Sequence, residues 1–291
     1  MKKILICHMG ALGDFILTWP ALKCLRSCHT NFHFLGLGKA SFMNLAIQMG
    51  LLDSFIDMEN RSVSKFFSGD SFSKEFKQLQ AAILWLKEAD KILEMLKANA
   101  VHPAIAVNPI PDIIFHVAKY YGKIIQSHFS LKLPEDLSTL FSVQHREKSL
   151  VIIHPGSGSR KKNYLTGFYM RLAEELKKMG YNKICFLMGP VEIERNLSSS
   201  FPDVFIEYSE NLDKLHNLLL SANFYIGNDS GVSHFAGILG IPTIALYKST
   251  NPEIWGVIGQ NVVNLKDTAA NHLIEKIKQT IVQWKTDNII G

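Results

Sequence analysis

The densest run of chemically capable residues is Gly227-Asn228-Asp229-Ser230-Gly231-Val232-Ser233-His234, which offers a carboxylate, two hydroxyls, an imidazole and bare backbone. It follows the apolar Phe224-Tyr225-Ile226 and leads into Ile238-Leu239-Gly240-Ile241-Pro242. The pattern reads as a strand, a turn of small polar residues, and a short helix stopped by Gly240 and Pro242 before a second strand from Thr243. The first amides of such a helix lack carbonyl partners, and the helix dipole favours an anion beside them. Ser230, Gly231 and Ser233 are small enough to admit a phosphate, and His234 could add a donor on the same side. Asp229 or Ser230 acting only as the helix cap accounts for the same residues, and both readings stand.

Two more loops have unusual composition. Met9-Gly10-Ala11-Leu12-Gly13-Asp14 follows the short apolar run Ile4-Leu5-Ile6-Cys7. Pro155-Gly156-Ser157-Gly158-Ser159 follows Leu150-Val151-Ile152-Ile153-His154 and runs into Arg160-Lys161-Lys162. In a parallel sheet the carboxyl ends of the strands face one side, so the loops at 155–162 and 228–234 should be neighbours around one ligand. Glycine-rich backbone, hydroxyls and cations together suit a diphosphate. A solvated surface loop is the alternative for the basic triplet alone. Asp14 carries the same ambiguity as Asp229, because it could be the N-cap of the first helix or a functional carboxylate.

Several chemistries lack their signatures. There is no Walker lysine motif, no dinucleotide G-x-G-x-x-G fingerprint and no serine nucleophile elbow. Cys24-x3-Cys28-His29-x3-His33 places four metal-ligand types close together, but the spacing is outside the usual zinc patterns. Neither a metal nor a cofactor is expected.

The elements that must position these loops alternate. Strand, loop, helix, strand and helix from residue 4 to 50 give the β-α-β-α order of a wound parallel sheet. A helix is expected over 14–27, with Pro20 an irregularity near its start. Leu79, Ile83, Leu86, Ile92, Leu93 and Leu96 recur at helical steps, and 113–121 also reads as a helix. The alternation restarts at Leu150 and ends in an amphipathic helix over 271–284. The weakly periodic segment 131–148 is the expected boundary, giving domains 1–148 and 149–291, with the last helix able to pack back on the first.

With 291 residues and 47% apolar composition, the chain can build two packed cores. The excess of 31 Lys and Arg over 26 Asp and Glu suits anionic small molecules or an acidic membrane surface. No basic block resembles a nucleic-acid arm, so no nucleic-acid partner is expected, and no apolar run is long enough for a transmembrane helix. Four cysteines in a chain of this length suggest a reducing compartment rather than a disulfide framework.

Three separated motifs resemble glycosyltransferase family 9, the ADP-heptose:lipopolysaccharide heptosyltransferases. They are Gly10-Ala11-Leu12-Gly13-Asp14 with its flanks, His154-Pro155-Gly156-Ser157 with Lys162 downstream, and Gly227-Asn228-Asp229-Ser230-Gly231-x-x-His234-x-Ala236-x-x-x-Gly240-x-Pro242. The resemblance implies an α/β GT-B fold of two Rossmann-like domains, their parallel sheets facing an interdomain cleft. The acceptor would lie on the N-terminal domain and the nucleotide-sugar on the C-terminal one.

The same resemblance implies inverting, metal-independent transfer, with Asp14 as general base. Lys162, Asp229, Ser230, Gly231 and His234 would hold the donor diphosphate, and Glu192 would contact the nucleoside. Gly10, Gly13, Gly156 and Ser157 would support the loops. The implied partners are an ADP-heptose donor and a glycolipid or glycan acceptor, in a cytoplasmic protein with peripheral inner-membrane contact. Phe66-Phe67 and the lysine-rich segment after them are candidates for a membrane face, and helix packing accounts for them equally well.

Two departures stand out. Lys162-Asn163-Tyr164-Leu165 replaces the family's Lys-x-Trp-Pro run, and 61–111 departs from its usual sequence. A UDP- or GDP-sugar donor with another glycan or protein acceptor therefore stays open, as does a non-catalytic nucleotide-sugar-binding protein.

Overall fold

A computed structural model describes residues 2–69, 74–142, 149–201, 204–267 and 269–291. The chain divides into two units, Met1–Glu135 and Asp136–Gly291. This is earlier than the 148/149 boundary read from the sequence, and residues 143–148 of that segment lie outside the described ones. The early division has a local cause. Leu137 and Phe141 are buried, and the Phe141 carbonyl accepts a hydrogen bond from Gln260 Nε2 at 2.9 Å, which ties the segment to the second unit.

The first unit holds strands β1 (Lys3–His8), β2 (His33–Gly38), β3 (Ser54–Asp57), β4 (Leu79–Trp85) and β5 (Ala104–Ala106). All pair in parallel in the order β3-β2-β1-β4-β5. The winding direction reverses between β1 and β4, which makes the carboxyl end of β1 the switch point where doubly wound sheets bind ligands.

Four expectations for this unit need correction. The helix over 14–27 is two helices, Leu12–Ile16 and Trp19–Cys28, with Pro20 in the first turn of the second, where a missing N–H costs no hydrogen bond. The apolar spacing from Leu79 is not one helix. Leu79–Trp85 is the strand β4, buried at every position but Gln80, and the helix that follows is Asp90–Ala98. A strand covered on both faces reads as a continuous apolar run and loses the alternation that would identify it.

The helix expected over 113–121 is Val117–Gln126, with His116 as its cap and Ile113 left in the preceding loop. Phe66 is fully buried and stacks on Phe76 at 4.4 Å, so the Phe66-Phe67 pair is core rather than an exposed membrane face.

The second unit holds β6 (Leu150–His154), β7 (Ile184–Met188), β8 (Ile206–Tyr208), β9 (Ala222–Asn228), β10 (Thr243–Tyr247) and β11 (Val262–Lys266). They form a wholly parallel sheet in the order β11-β10-β9-β6-β7-β8, with the reversal between β6 and β9. The sheet core of Val151, Phe186, Phe224 and Ile244 is joined by Leu273, Ile277, Ile281 and Trp284 of the helix Ala270–Thr286. Each unit is thus a Rossmann-like α/β layer. Among the described residues, no helix is long and apolar enough to cross a membrane.

Candidate active site

Because β6 and β9 are neighbours, with His154 opposite Gly227, the loops that follow them meet at the switch point of the second sheet. Asn228 is the joint. Fully buried, it donates from Nδ2 to the Pro155 carbonyl at 2.8 Å and accepts at Oδ1 from the Tyr169 hydroxyl at 2.6 Å. A buried amide persists only when its polar atoms are satisfied in this way. The side chain also reaches Asn163 Oδ1 at 3.3 Å, and that oxygen accepts from the Ser157 hydroxyl.

The helix Gly231–Ile238 opens on this junction. Ser230 is its N-cap, with Oγ accepting from the Ser233 N–H at 3.3 Å. The amides of Gly231 and Val232 come before that capped position and have no carbonyl partner in the first turn. Ser230 therefore caps the helix, and because the Gly231 and Val232 amides precede the capped position, the cap does not rule out the phosphate reading of this turn.

Asp229 has a different task from its neighbours. Its carboxylate is buried, pairs with Lys162 Nζ at 2.7 Å, accepts a hydrogen bond from the Thr250 hydroxyl, and lies 3.9 Å from His234 Nε2. A carboxylate repels a phosphate. What Asp229 does here is fix Lys162 at the junction of the two loops. Lys248 adds another cation, donating to the Asn163 carbonyl at 3.0 Å.

Glu192 is nearly inaccessible, at 4% exposure. It accepts from the Gly189 N–H at 2.9 Å as the return arm of a capping box, and lies 3.6 Å from His154 Nε2. Burial alone would raise its pKa, but the nearby His154 imidazole and the Gly189 N–H leave it below the usual glutamate value. Gly156 is a glycine for a visible reason, because a Cβ there would occupy the position of the Glu192 carboxylate. The opposite nitrogen of His154 meets the Tyr225 hydroxyl at 3.1 Å and Ser230 Oγ at 3.4 Å. Glu192 and the capped turn are thus linked by a chain of buried polar contacts. Arg195 closes the loop from outside, donating to the carbonyls of Ser157 and Gly158.

In the first unit, the loop after β1 carries Asp14 in the first turn of Leu12–Ile16. The N-cap is Ala11, so Asp14 is not the cap. Gly13 lies within the same turn. A Cβ on Gly10 would sit 3.1 Å from His8 Cε1 and 3.4 Å from Asp14 Oδ2, so the imidazole and the carboxylate converge on one point above that glycine. His8 is buried against Phe15 and Trp85, and burial pushes its pKa down to about 4, keeping the ring neutral. Its Nδ1 is buried without a hydrogen-bond partner.

Tyr225, Thr250, Arg195, Lys248 and His8 were not singled out in the sequence. None lies in a glycine-rich loop, and each reaches its site through tertiary packing. Tyr225 had one indirect signal, because Gly227 makes room for its hydroxyl and stands two residues away on the same strand face. Among the described residues no group of three or more His, Cys, Asp or Glu side chains is arranged to hold a metal. His29 and His33 instead bond to the Ser130 carbonyl and the Ser54 hydroxyl.

Residues 77–285 match glycosyltransferase family 9 (heptosyltransferase). The fold is similar to E. coli ADP-heptose lps heptosyltransferase II, with a TM-score of 0.74 at 15% identity over 98% of this chain and 100% of that one. It is also similar to E. coli heptosyltransferase WaaC with ADP, at 0.71 and 18% identity over 96% and 99%. A family 9 glycosyl transferase from Veillonella parvula gives 0.70 and 18% identity over 95% and 89%. A sequence comparison with curated proteins finds no match.

Proposed function

Since this chain belongs to glycosyltransferase family 9, we propose that it moves a heptose or related sugar from an ADP-sugar to an acceptor hydroxyl, inverting the anomeric centre. The acceptor in this reading is a glycolipid of the lipopolysaccharide core type, met by a cytoplasmic enzyme at the inner-membrane surface. The observation that carries the reading is the junction of the β6 and β9 loops. There Ser230 caps the helix Gly231–Ile238, and the residue before it, Asp229, pairs with Lys162 of the β6 loop at 2.7 Å.

The transfer is a single displacement. The acceptor oxygen attacks the anomeric carbon and gives its proton to the Asp14 carboxylate, while the bond from that carbon to the diphosphate oxygen breaks. The nucleoside diphosphate departs with the electron pair. Its growing negative charge is met by the Gly231 and Val232 amides, the dipole of their helix, and Lys162. These preorganised donors supply the leaving-group stabilisation without a divalent ion.

A thermal-shift titration with ADP, UDP and GDP at matched concentrations tests the donor. A ligand at about 100 times its dissociation constant stabilises the fold by about 2.7 kcal/mol. A selective rise with ADP is expected. A selective rise with UDP or GDP replaces the donor, and no rise with any of them removes the diphosphate site.

A further inference from the structure

The loop 108–115, between β5 and the helix Val117–Gln126, exposes Ile110 to 60%, Ile114 to 92% and Phe115 to 37%. Single exposed apolar residues are ordinary, but three within six positions form a patch that costs solubility unless something covers it. The neighbouring charge indicates what does. Lys119 and Lys123 are exposed and four residues apart, so they share a helix face. Lys123 Nζ also lies 4.8 Å above the Phe115 ring. Asp112 is the one acid between 108 and 126.

We propose that this loop and the adjoining lysine face dock on the surface of an anionic phospholipid membrane. The apolar tips enter the headgroup boundary while the lysines meet lipid phosphates, their stems lying along the apolar residues. The loop is fixed in place for this. The buried Tyr121 hydroxyl donates to the Pro109 carbonyl at 2.8 Å, and its ring packs edge-on against Trp85 at the end of β4. The loop leaves the carboxyl end of β5 as the Asp14 loop leaves that of β1, and the two strands flank β4 in one parallel sheet. The patch and Asp14 therefore share the carboxyl edge of the first sheet. Docking there would bring a membrane-anchored acceptor hydroxyl to that edge. The inference rests on the proposed transfer only for this last step.

Flotation of the full chain with phosphatidylcholine vesicles, with and without phosphatidylglycerol, tests the surface. Binding is expected with the anionic vesicles, weakening as salt rises. Ile110→Asp with Ile114→Asp should lower it about tenfold or more, and Lys119→Glu with Lys123→Glu should abolish the preference for anionic lipid. Both variants should keep the wild-type thermal shift with nucleotide, which separates a failed surface from a failed donor site. Equal flotation of the wild type and the isoleucine variant overturns the proposal. So does a concentration-dependent dimer that the same variant dissolves, because the patch then belongs to a second copy of the chain.

Discussion

Lys162 Nζ lies 2.7 Å from Asp229 Oδ2, an ion pair in which the carboxylate is buried and the lysine is about a third exposed. The lysine stays accessible to a ligand while its partner fixes it, so the two residues should fail differently. Lys162→Ala strands a buried carboxylate and should cost about 1–3 kcal/mol of stability, as well as lowering affinity for the nucleoside diphosphate. Asp229→Asn leaves Lys162 unanchored and should weaken the ligand by a smaller factor, with less effect on melting. Urea melts beside calorimetric titration with ADP separate the two losses. Equal affinity in Lys162→Ala and wild type would remove the lysine from the site.

Asp14 sits in the first helical turn, and Ala11 is the cap. Asp14→Asn therefore leaves the N-cap residue in place, and the dipole contribution of a first-turn carboxylate is about 0.3–1 kcal/mol. A general base lost from a displacement costs roughly 10²–10⁴-fold in rate. The expected variant melts close to wild type, binds the donor nucleotide normally and transfers sugar at that reduced rate. Near-normal transfer in a radiolabelled-sugar assay would exclude the catalytic role.

Asp14 and Asp229 stand out in the sequence because each follows an apolar run at a strand-to-helix turn, where the geometry follows from local residue types. Leu79–Trp85 was not legible as a strand, because burial on both faces removes the alternation. The edge strands Ser54–Asp57 and Val262–Lys266 were not legible either, since they are short and mostly half-buried and so lack an apolar run. The β6 and β9 loops could be placed side by side, but not the order of the sheet around them. The buried contacts of His154, Tyr225 and Glu192 depend on that order, which places His154 opposite Gly227, two residues beyond Tyr225. The exposed Ile110–Phe115 patch was missed for a related reason: the apolar spacing from Ile113 mimics the start of a helix that begins only at Val117.

Gly156 and Glu192 occupy each other's space. A Cβ on Gly156 would displace the Glu192 carboxylate, which the Gly189 N–H and His154 hold in place. Gly156→Ala should destabilise by about 1–3 kcal/mol, the range for inserting an atom into a packed site. Glu192→Ala removes the obstacle, so the double variant should cost less than the two single changes together. Chemical denaturation of all four proteins gives the coupling energy directly. Simple additivity would mean that the carboxylate moves aside without cost.

His8 makes acid sensitivity a test of the first unit. Its folded pKa, about 4, lies below the ordinary 6.5 because burial penalises the imidazolium. Between those values the unfolded chain binds a proton that the folded chain refuses, so falling pH favours unfolding. The stability is fully present above pH 6.5 and is lost as pH falls to about 4, below which both states carry the proton and this loss levels off. The limiting slope for one such group is about 1.4 kcal/mol per pH unit. His8→Asn removes the titration and should flatten this limb in urea melts across the window, even though it also lowers stability at neutral pH by leaving a poorer fit against Phe15 and Trp85. An unchanged slope would show that the imidazole finds a proton-accepting environment in the folded chain, and would assign the acid limb to other groups.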